Sequence, residues 1–229
     1  MQFQAPESLS EQIAQHLGRQ IITGELRPGE RIQELKVAGS LDVSRGSVRE
    51  ALLILERRHL IRIYPRKGAV VSGMTPELVN SLYDIYLNLL EMLADRFMAR
   101  RTEADEQPLL QAIRQLCRSL GGDQASVAEV IDGGMEAMRQ CYPVVANPYL
   151  EETLENFRPA ISRTYYLVLA NDPGEMQISK TFFERIVARI EANDHQGVTD
   201  SIRRFGEHQR EVALQALARD ESLTVEPAT

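Results

Sequence analysis

Apolar positions in the first 42 residues recur at helical spacing, interrupted by turn-forming residues. The first predicted helix follows the capping box SLSE, in which a serine accepts an amide three residues on and a glutamate reaches back. Its apolar positions are Leu9, Ile13, Leu17 and Ile21. The pattern breaks at Thr23-Gly24, and the turn in LRPGE leads into a short helix predicted over residues 33–40.

The next segment combines a third helix with two strands. Ser44 is a suitable N-cap, and the buried stripe that follows consists of Val48, Ala51, Leu52 and Leu55. IRIY (residues 61–64) and AVVS (residues 69–72) have strand character, and PRKG joins them. Three helices followed by a hairpin are typical of a winged helix-turn-helix.

From Thr75 onward the pattern is helical. Predicted helices cover residues 75–100, 103–120, 125–141, 147–170, 176–192 and 197–219, and we expect the tail ESLTVEPAT to be frayed. The inner side of the first of these helices is predicted to consist of Leu78, Leu82, Ile85, Leu89, Met92 and Leu93. Short links between antiparallel helices predict a bundle, and bundles commonly hold ligands between facing helices.

The predicted fold class is therefore mostly α. An N-terminal winged helix-turn-helix domain (residues 1–73) is followed by an all-α helical-bundle domain (residues 74–229).

Charge is distributed unevenly between these two parts. The chain has a net charge of −7, but residues 1–75 carry 11 Lys+Arg against 8 Asp+Glu, a net of +3. A basic first third on an acidic body suggests that the first third binds a polyanion. The sequence has no uninterrupted apolar run long enough for a membrane span and no secretory signal at its start, so we expect a cytoplasmic protein with no membrane partner.

Basic residues stand at two places that a winged helix-turn-helix presents to DNA. Arg45 and Arg49 lie one turn apart at the start of the third helix, where small residues allow close approach to phosphates and base edges. The candidate DNA-binding residues are Ser44, Arg45, Gly46, Ser47, Arg49, Arg66, Lys67 and Gly68. The two arginines alone fit a solvated helix face equally well, and the hairpin tip alone fits any surface loop. The order of the elements favours DNA.

Signatures of catalysis are absent from the sequence. It contains no glycine-rich phosphate loop, no nucleophile elbow and no metal-ligand cluster. Cys117 and Cys141 have neither metal-binding spacing nor a sequence-adjacent histidine. We therefore do not expect an enzyme.

Three segments carry a resemblance to a known family. LRPGERIQE, DVSRGSVREALLILERRHLI and RKGAVV resemble the N-terminal domain of GntR-type bacterial transcription regulators. The helical remainder resembles the FadR-like (FCD) effector domain through its helix order and NPYLEETL. The resemblance implies a homodimer that binds double-stranded DNA at a near-palindromic operator and is controlled by a small metabolite. It also implies base or phosphate contacts by Arg45 and Arg49 and minor-groove contact by the wing. Gly46 stands at a position where the family often has threonine.

Many FCD members hold a divalent metal with one Asp and three His. The aligned positions here are Gly134, Met138, Phe183 and Phe205, none of which is a ligand type, so we expect no metal and no cofactor.

The same resemblance suggests an apolar effector site. Its candidate residues are Met138, Phe183, Phe205, His208, Asn88 and Arg163. His208 would supply a polar anchor, Asn88 stands where many relatives carry a carboxylate-binding arginine, and Arg163 is a candidate partner for an acidic effector. These residues favour an acyl or aromatic compound. The alternative is a plain core, which would make the chain an effector-independent or architectural DNA-binding protein.

Overall fold

The computed structural model describes residues 8–122 and 126–224. In chain order the elements are α1 (Leu9–Ile22), β1 (Arg31–Ile32), α2 (Glu34–Leu41), α3 (Arg45–Arg57), β2 (Ile61–Tyr64), β3 (Gly68–Val71), α4 (Pro76–Arg100), α5 (Glu103–Leu120), α6 (Val127–Arg139), α7 (Tyr142–Val145), α8 (Pro148–Asn171), α9 (Gly174–Glu191), α10 (His195–Arg219) and a 3₁₀ turn (Glu221–Thr224). This is the predicted mostly α fold, a winged helix-turn-helix followed by a helical bundle.

The N-terminal unit is built on local sequence signals. Ser8 caps α1 by accepting from the Glu11 backbone N–H at 3.2 Å, as predicted, but the Glu11 carboxylate accepts from Arg58 Nη2 at 2.7 Å and does not complete the capping box. The strands form an antiparallel sheet in the order β1-β3-β2. The hydrophobic core of this unit is formed by the inner faces of α1 and α3 and by the sheet. Its most deeply buried residues are Val48, Ala51 and Val71. The two-residue strand β1 is too short to show an alternating pattern, and the sequence did not predict it.

The C-terminal unit is a bundle with its own core. The long helices α4, α8 and α10 pack against one another, and α5, α6 and α9 complete the enclosure. The helices α4 and α10 approach closely at Gly206, where an added Cβ would lie only 2.1 Å from the Leu87 side chain. A side chain at this position would overlap Leu87 unless Leu87 or the helices moved, so glycine allows the close approach. No helix in the described ranges has the length and low charge that crossing a membrane requires.

Two separate hydrophobic cores support a division of the chain near residue 73. One core contains buried residues from Ile13 to Val71, and the other begins at Met74 and ends at Leu217. The boundary between residues 73 and 74 remains a proposal that these cores support.

Predicted helix ends differ from the observed ends in the bundle's middle and tail. The helix predicted over residues 125–141 ends at Arg139, and a separate turn of helix, α7, precedes the αL residue Ala146. The predicted start at residue 125 lies outside the described residues. The tail, residues 221–229, was expected to be frayed, but Leu223 accepts a hydrogen bond from the Met74 backbone N–H at 3.0 Å. This contact attaches the 3₁₀ turn to the linker between the two units. Residues 225–229 lie outside the described residues.

The predicted inner face of α4 is wrong at three of its six positions, whereas Leu93 is buried and Leu82 and Leu89 pack partly buried against the core. Leu78, Ile85 and Met92 were expected inside, but they are 37%, 52% and 41% exposed. The buried residues of α4 are Val79, Tyr83, Tyr86, Leu87, Leu93, Ala94, Phe97 and Met98. Tyrosines occupy the core, which leaves a row of aliphatic side chains outside.

Candidate nucleic-acid interface and effector cavity

The N-terminus of α3 presents polar and cationic groups to solvent. Ser44 caps the helix by accepting from the Ser47 backbone N–H at 3.0 Å, and the two hydroxyl oxygens lie 2.9 Å apart. Gly46 is exposed beside them. The guanidinium-bearing side chains of Arg45 and Arg49 are 54% and 60% exposed. The structure thus places these five predicted residues together in the first turns of one helix, where backbone N–H groups and positive charge favour an anion.

One carboxylate of α2 orients both arginines. Glu34 Oε2 accepts from Arg49 Nε at 2.8 Å and lies 3.6 Å from Arg45 Nη2. Sequence analysis missed Glu34, because the pairing depends on how α2 packs on α3 and not on sequence spacing. An exposed pair of this kind is weak, so the arginines can exchange Glu34 for a DNA group.

The hairpin between β2 and β3 forms the wing. Arg66 adopts φ 67° and Gly68 adopts φ 79°, so the tip turns through two left-handed residues. Arg66 and Lys67 are exposed, and Lys67 Nζ lies 6.0 Å from the centre of the Tyr64 ring. The three predicted wing residues therefore lie together at one exposed tip.

Two further arginines flank the wing on the sheet. Arg31 in β1 and Arg62 in β2 are both opposite Val70 in the antiparallel register, so their side chains leave the same face. Both are exposed, and the Arg31 guanidinium lies 3.8 Å from the Cβ position of a side chain at Gly68. The positive wing is larger than the sequence indicated, because strand β1 brings Arg31 beside it.

A cavity of about 150 Å³ lies inside the bundle and is almost wholly apolar. Three of the predicted effector residues, Met138, Phe183 and Phe205, line it. Phe205 stacks on Phe182 with ring centres 4.1 Å apart. Cys141 also lines the cavity, and burial raises the pKa of its thiol to about 12, so the thiol stays protonated at neutral pH.

A few polar groups reach the cavity wall. Tyr165, Ser179 and Gln209 line it. Burial raises the pKa of Tyr165, which keeps the hydroxyl neutral and available as a donor. Sequence analysis missed these residues because their polar types do not stand out on helices with many polar positions.

His208 lies behind this polar wall and does not line the cavity. Its Nε2 atom lies 2.9 Å from Glu175 Oε1, and Gln209 Nε2 donates to Glu175 Oε2 at 2.9 Å. Glu175 is 3% exposed, so His208 and Gln209 stabilise a buried carboxylate. His208 contributes to the position of Gln209 through Glu175.

The remaining two predicted effector residues lie elsewhere. Asn88 is exposed on α4 and donates to the Asp84 carbonyl oxygen at 2.6 Å. Arg163 is buried at the junction of the two units, where Nη1 donates to the Ser72 carbonyl oxygen at 2.7 Å. Neither side chain lines the bundle cavity, because each leaves its helix on another face.

Comparison with protein-family models gives two matches that together span most of the chain. Residues 9–71 match the model of bacterial regulatory proteins of the gntR family, and residues 81–208 match the FCD domain model. The chain belongs to the GntR family, in its FCD branch. The first match covers the winged helix-turn-helix, and the second covers most of the bundle.

Individual relatives of this GntR-family chain are distant. An uncharacterized HTH-type transcriptional regulator, YdhC of Bacillus subtilis, is 33% identical over 105 residues, which are 46% of each chain. The gluconate operon transcriptional repressor of the same species is 33% identical over 104 residues, covering 45% of this chain and 41% of the repressor. The chain thus spans about half the length of the curated relatives it matches. The solved structure of E. coli McbR/YncC has a TM-score of 0.75 at 22% identity, over 92% of this chain and 99% of that one, which shows a shared fold.

The FCD resemblance raises the question of a metal in this bundle. Gly134, Met138, Phe183 and Phe205, which align with the family's ligand positions, all line the bundle cavity. Glycine and phenylalanine offer no donor, and a thioether is a poor ligand for a hard divalent ion. The residues present do not fit a metal, and within the described ranges no group of three or more His, Cys, Asp or Glu side chains is arranged to hold one.

Proposed function

We propose that this GntR-family chain is a sequence-specific DNA-binding transcription regulator that acts in the cytoplasm and is not an enzyme. It would bind a pseudo-palindromic operator as a homodimer, under the control of a small metabolite in the bundle. The observation that carries the proposal is the exposed N-terminus of α3, where two half-exposed arginines flank a serine-capped turn. Such a helix places its first residues against base edges in the major groove, with the wing on the backbone or minor groove.

The exposed row on α4 supports the homodimer. Leu78, Ile85 and Met92 are seven residues apart in sequence, so they form one stripe along the helix. Partly buried Leu82 and Leu89 lie between them. A second copy of the chain would cover this stripe with its own, since a two-fold interface joins the same surface of both subunits. Two-fold symmetry of the protein then requires two-fold symmetry of the operator.

The bundle cavity supports an apolar effector. A cavity of about 150 Å³ with such walls can remain dry and bind a molecule of benzene's size. Tyr165, Ser179 and Gln209 would orient one polar group of the ligand. We therefore propose a small aromatic or short acyl compound. Because the cavity is small, it also supports a second candidate function. In that case the bundle is a plain core and the chain is an effector-independent or architectural DNA-binding protein.

The DNA half of the proposal is tested by selecting bound sites from a random DNA pool at a stated salt concentration. A palindromic site should emerge, and Arg45→Ala and Arg49→Ala should each weaken binding to it by roughly 1–3 kcal/mol. Arg114→Ala is the matched control, because Arg114 is half-exposed in the bundle and pairs with Glu191. It should bind the selected site like the unmodified chain.

Two results would contradict the DNA half of the proposal. One is enrichment of no sequence, with only weak and salt-sensitive binding, which would favour the architectural alternative. The other is unchanged affinity of both α3 variants for a selected site, which would show that α3 does not contact the bases.

A further inference from the structure

A second cavity, of about 440 Å³, lies between the winged domain and the bundle. We call it the junction cleft. Its winged-domain wall includes His59 and Ile61, its linker wall includes Met74, and its bundle wall includes Val79 and Phe157. The cleft is about three times the volume of the bundle cavity and is formed by different residues. A molecule inside it would contact both domains.

Arg163 gives the junction cleft a buried positive charge. The residue is 5% exposed, and Nη1 donates to the Ser72 carbonyl oxygen at 2.7 Å. Among the described residues Arg163 forms no ion pair with a carboxylate, and the hydrogen bond of its guanidinium is the one to the Ser72 carbonyl oxygen. Burial lowers the pKa of Arg163 to about 10, so the guanidinium remains charged at neutral pH. A buried charge without a counter-charge is costly, and an anion in the cleft would remove that cost.

The other ionisable groups that line the cleft define the charge of its ligand. Glu56 and Arg62 carry opposite charges, and Glu56 Oε1 accepts from the Ile63 backbone N–H at 2.7 Å. His59 adds no positive charge at neutral pH, since burial lowers its pKa. With Arg163, the lining has a net charge of +1, which matches a monoanion. A phosphate dianion would leave one negative charge uncompensated in a partly enclosed space.

The remaining wall of the cleft is suited to an apolar or aromatic body. The rings of His59 and Phe157 stack with centres 5.1 Å apart and planes 14° apart. Met74 and Val79 extend this surface. A flat or aliphatic group can pack on such a wall while a charged head reaches the guanidinium.

We propose that the junction cleft binds a small organic monocarboxylate. Its carboxylate accepts hydrogen bonds from Arg163, whose planar fork matches two carboxylate oxygens, and its apolar body packs on the His59 and Phe157 wall. Because the walls come from both domains, the bound acid stabilises the arrangement in which they enclose it. The site is separate from the bundle cavity and needs no metal.

The test uses para-fluorobenzoate as the probe and the full chain without DNA. Fluorine NMR titration should show saturable binding. Arg163→Gln, which keeps a donor for the Ser72 carbonyl but removes the charge, should weaken binding by roughly tenfold or more. Arg163→Lys should bind with intermediate affinity, because it keeps the charge and loses the fork. Arg139→Gln is the control, since Arg139 pairs with Glu136 and Glu155 outside the cleft.

Matched pairs of space-filling variants locate the bound probe independently of Arg163. Ala160 lines the junction cleft and Ala94 lines the bundle cavity. Ala160→Leu should abolish probe binding, and Ala94→Leu should leave it unchanged. Thermal unfolding of each variant verifies that it is folded, and if Arg163→Gln fails to fold, Ala160→Leu decides the question.

Three outcomes would overturn the junction site. One is the absence of saturable probe binding to the unmodified chain, and another is binding of the probe to Arg163→Gln as tightly as to the unmodified chain. The third is loss of probe binding in Ala94→Leu while Ala160→Leu retains it. Because no DNA is present, failure of the operator experiment leaves this result unaffected. Failure of the junction site likewise leaves the proposed DNA binding unaffected.

Discussion

Glu34 determines how the two α3 arginines are presented when no DNA is bound. A single carboxylate oxygen contacts Arg49 at 2.8 Å and lies 3.6 Å from Arg45, so both guanidiniums are held over the helix start. The same negative charge opposes the approach of a phosphate. The residue therefore has two opposing effects, orientation of the arginines and repulsion of DNA.

Glu34→Gln separates those two effects. The amide removes the negative charge, so affinity for random DNA should rise by a few-fold, about 1 kcal/mol at low salt, and the gain should shrink as salt increases. Discrimination between the selected site and random DNA should fall, because the arginines are less well oriented. Competition binding at two salt concentrations measures both quantities. Glu77→Gln, exposed at the start of α4, is the control and should change neither.

At the scale of elements, the sequence predicted helix positions better than helix faces. Ser44, Thr75 and the Thr102 capping box define helix starts through local hydrogen bonds, so the starts of α3, α4 and α5 are confirmed. The face of α4 could not be predicted, because the helix is apolar on most of its circumference. Which side is buried depends on α8 and α10, against which Tyr83 and Leu87 pack.

The candidate site residues were also predicted well where they are close in sequence and poorly where packing brings them together. The α3 and wing residues are close in sequence, so local patterning was enough to bring them together. The bundle cavity is lined by α4, α5, α6, α8, α9 and α10, and only the resemblance to FCD domains brought Met138, Phe183 and Phe205 into one set. Asn88, His208 and Arg163 were predicted to line the same cavity, but in the structure they do not. Which side of a helix faces the cavity is decided by packing against the other helices. Arg31 and Glu34 were missed because each acts through a neighbour on another element.

Whether the helices of the bundle enclose a ligand site or a plain core is open to direct measurement. Benzene should raise the melting temperature of the full chain, because a ligand that binds only the folded state stabilises that state. At a benzene concentration of a hundred times its Kd, the free energy of unfolding should rise by about 2.7 kcal/mol. Ala94→Leu should remove this effect by filling the cavity. Ala160→Leu, which fills the junction cleft, is the matched control and should retain it. No benzene-dependent shift in the unmodified chain would favour the filled-core alternative.

At the scale of the molecule, charge and apolar surface are arranged for different contacts. The first 75 residues have a net charge of +3 and the remainder −10, so the winged domain alone is electrostatically suited to DNA. The acidic bundle is repelled by DNA, which favours an orientation with the winged domains toward the duplex. The exposed stripe on α4 belongs to the bundle and contains no α3 residue, so pairing of two chains there would not require the α3 surface.

Ile85→Glu tests that pairing. Ile85 is 52% exposed in the middle of the stripe, and the substitution would place one carboxylate from each subunit in an apolar interface. The dimer dissociation constant, measured by sedimentation, should rise by roughly a hundredfold or more, and affinity for the palindromic operator should fall because the two half-sites are no longer bound together. Ile178→Glu is the matched control, an isoleucine 40% exposed on α9 outside the stripe. Equal dimer stability of the two variants would show that α4 does not form the interface. A dimer weakened only by Ile85→Glu, with half-site affinity preserved, would show that operator symmetry depends on the bundle.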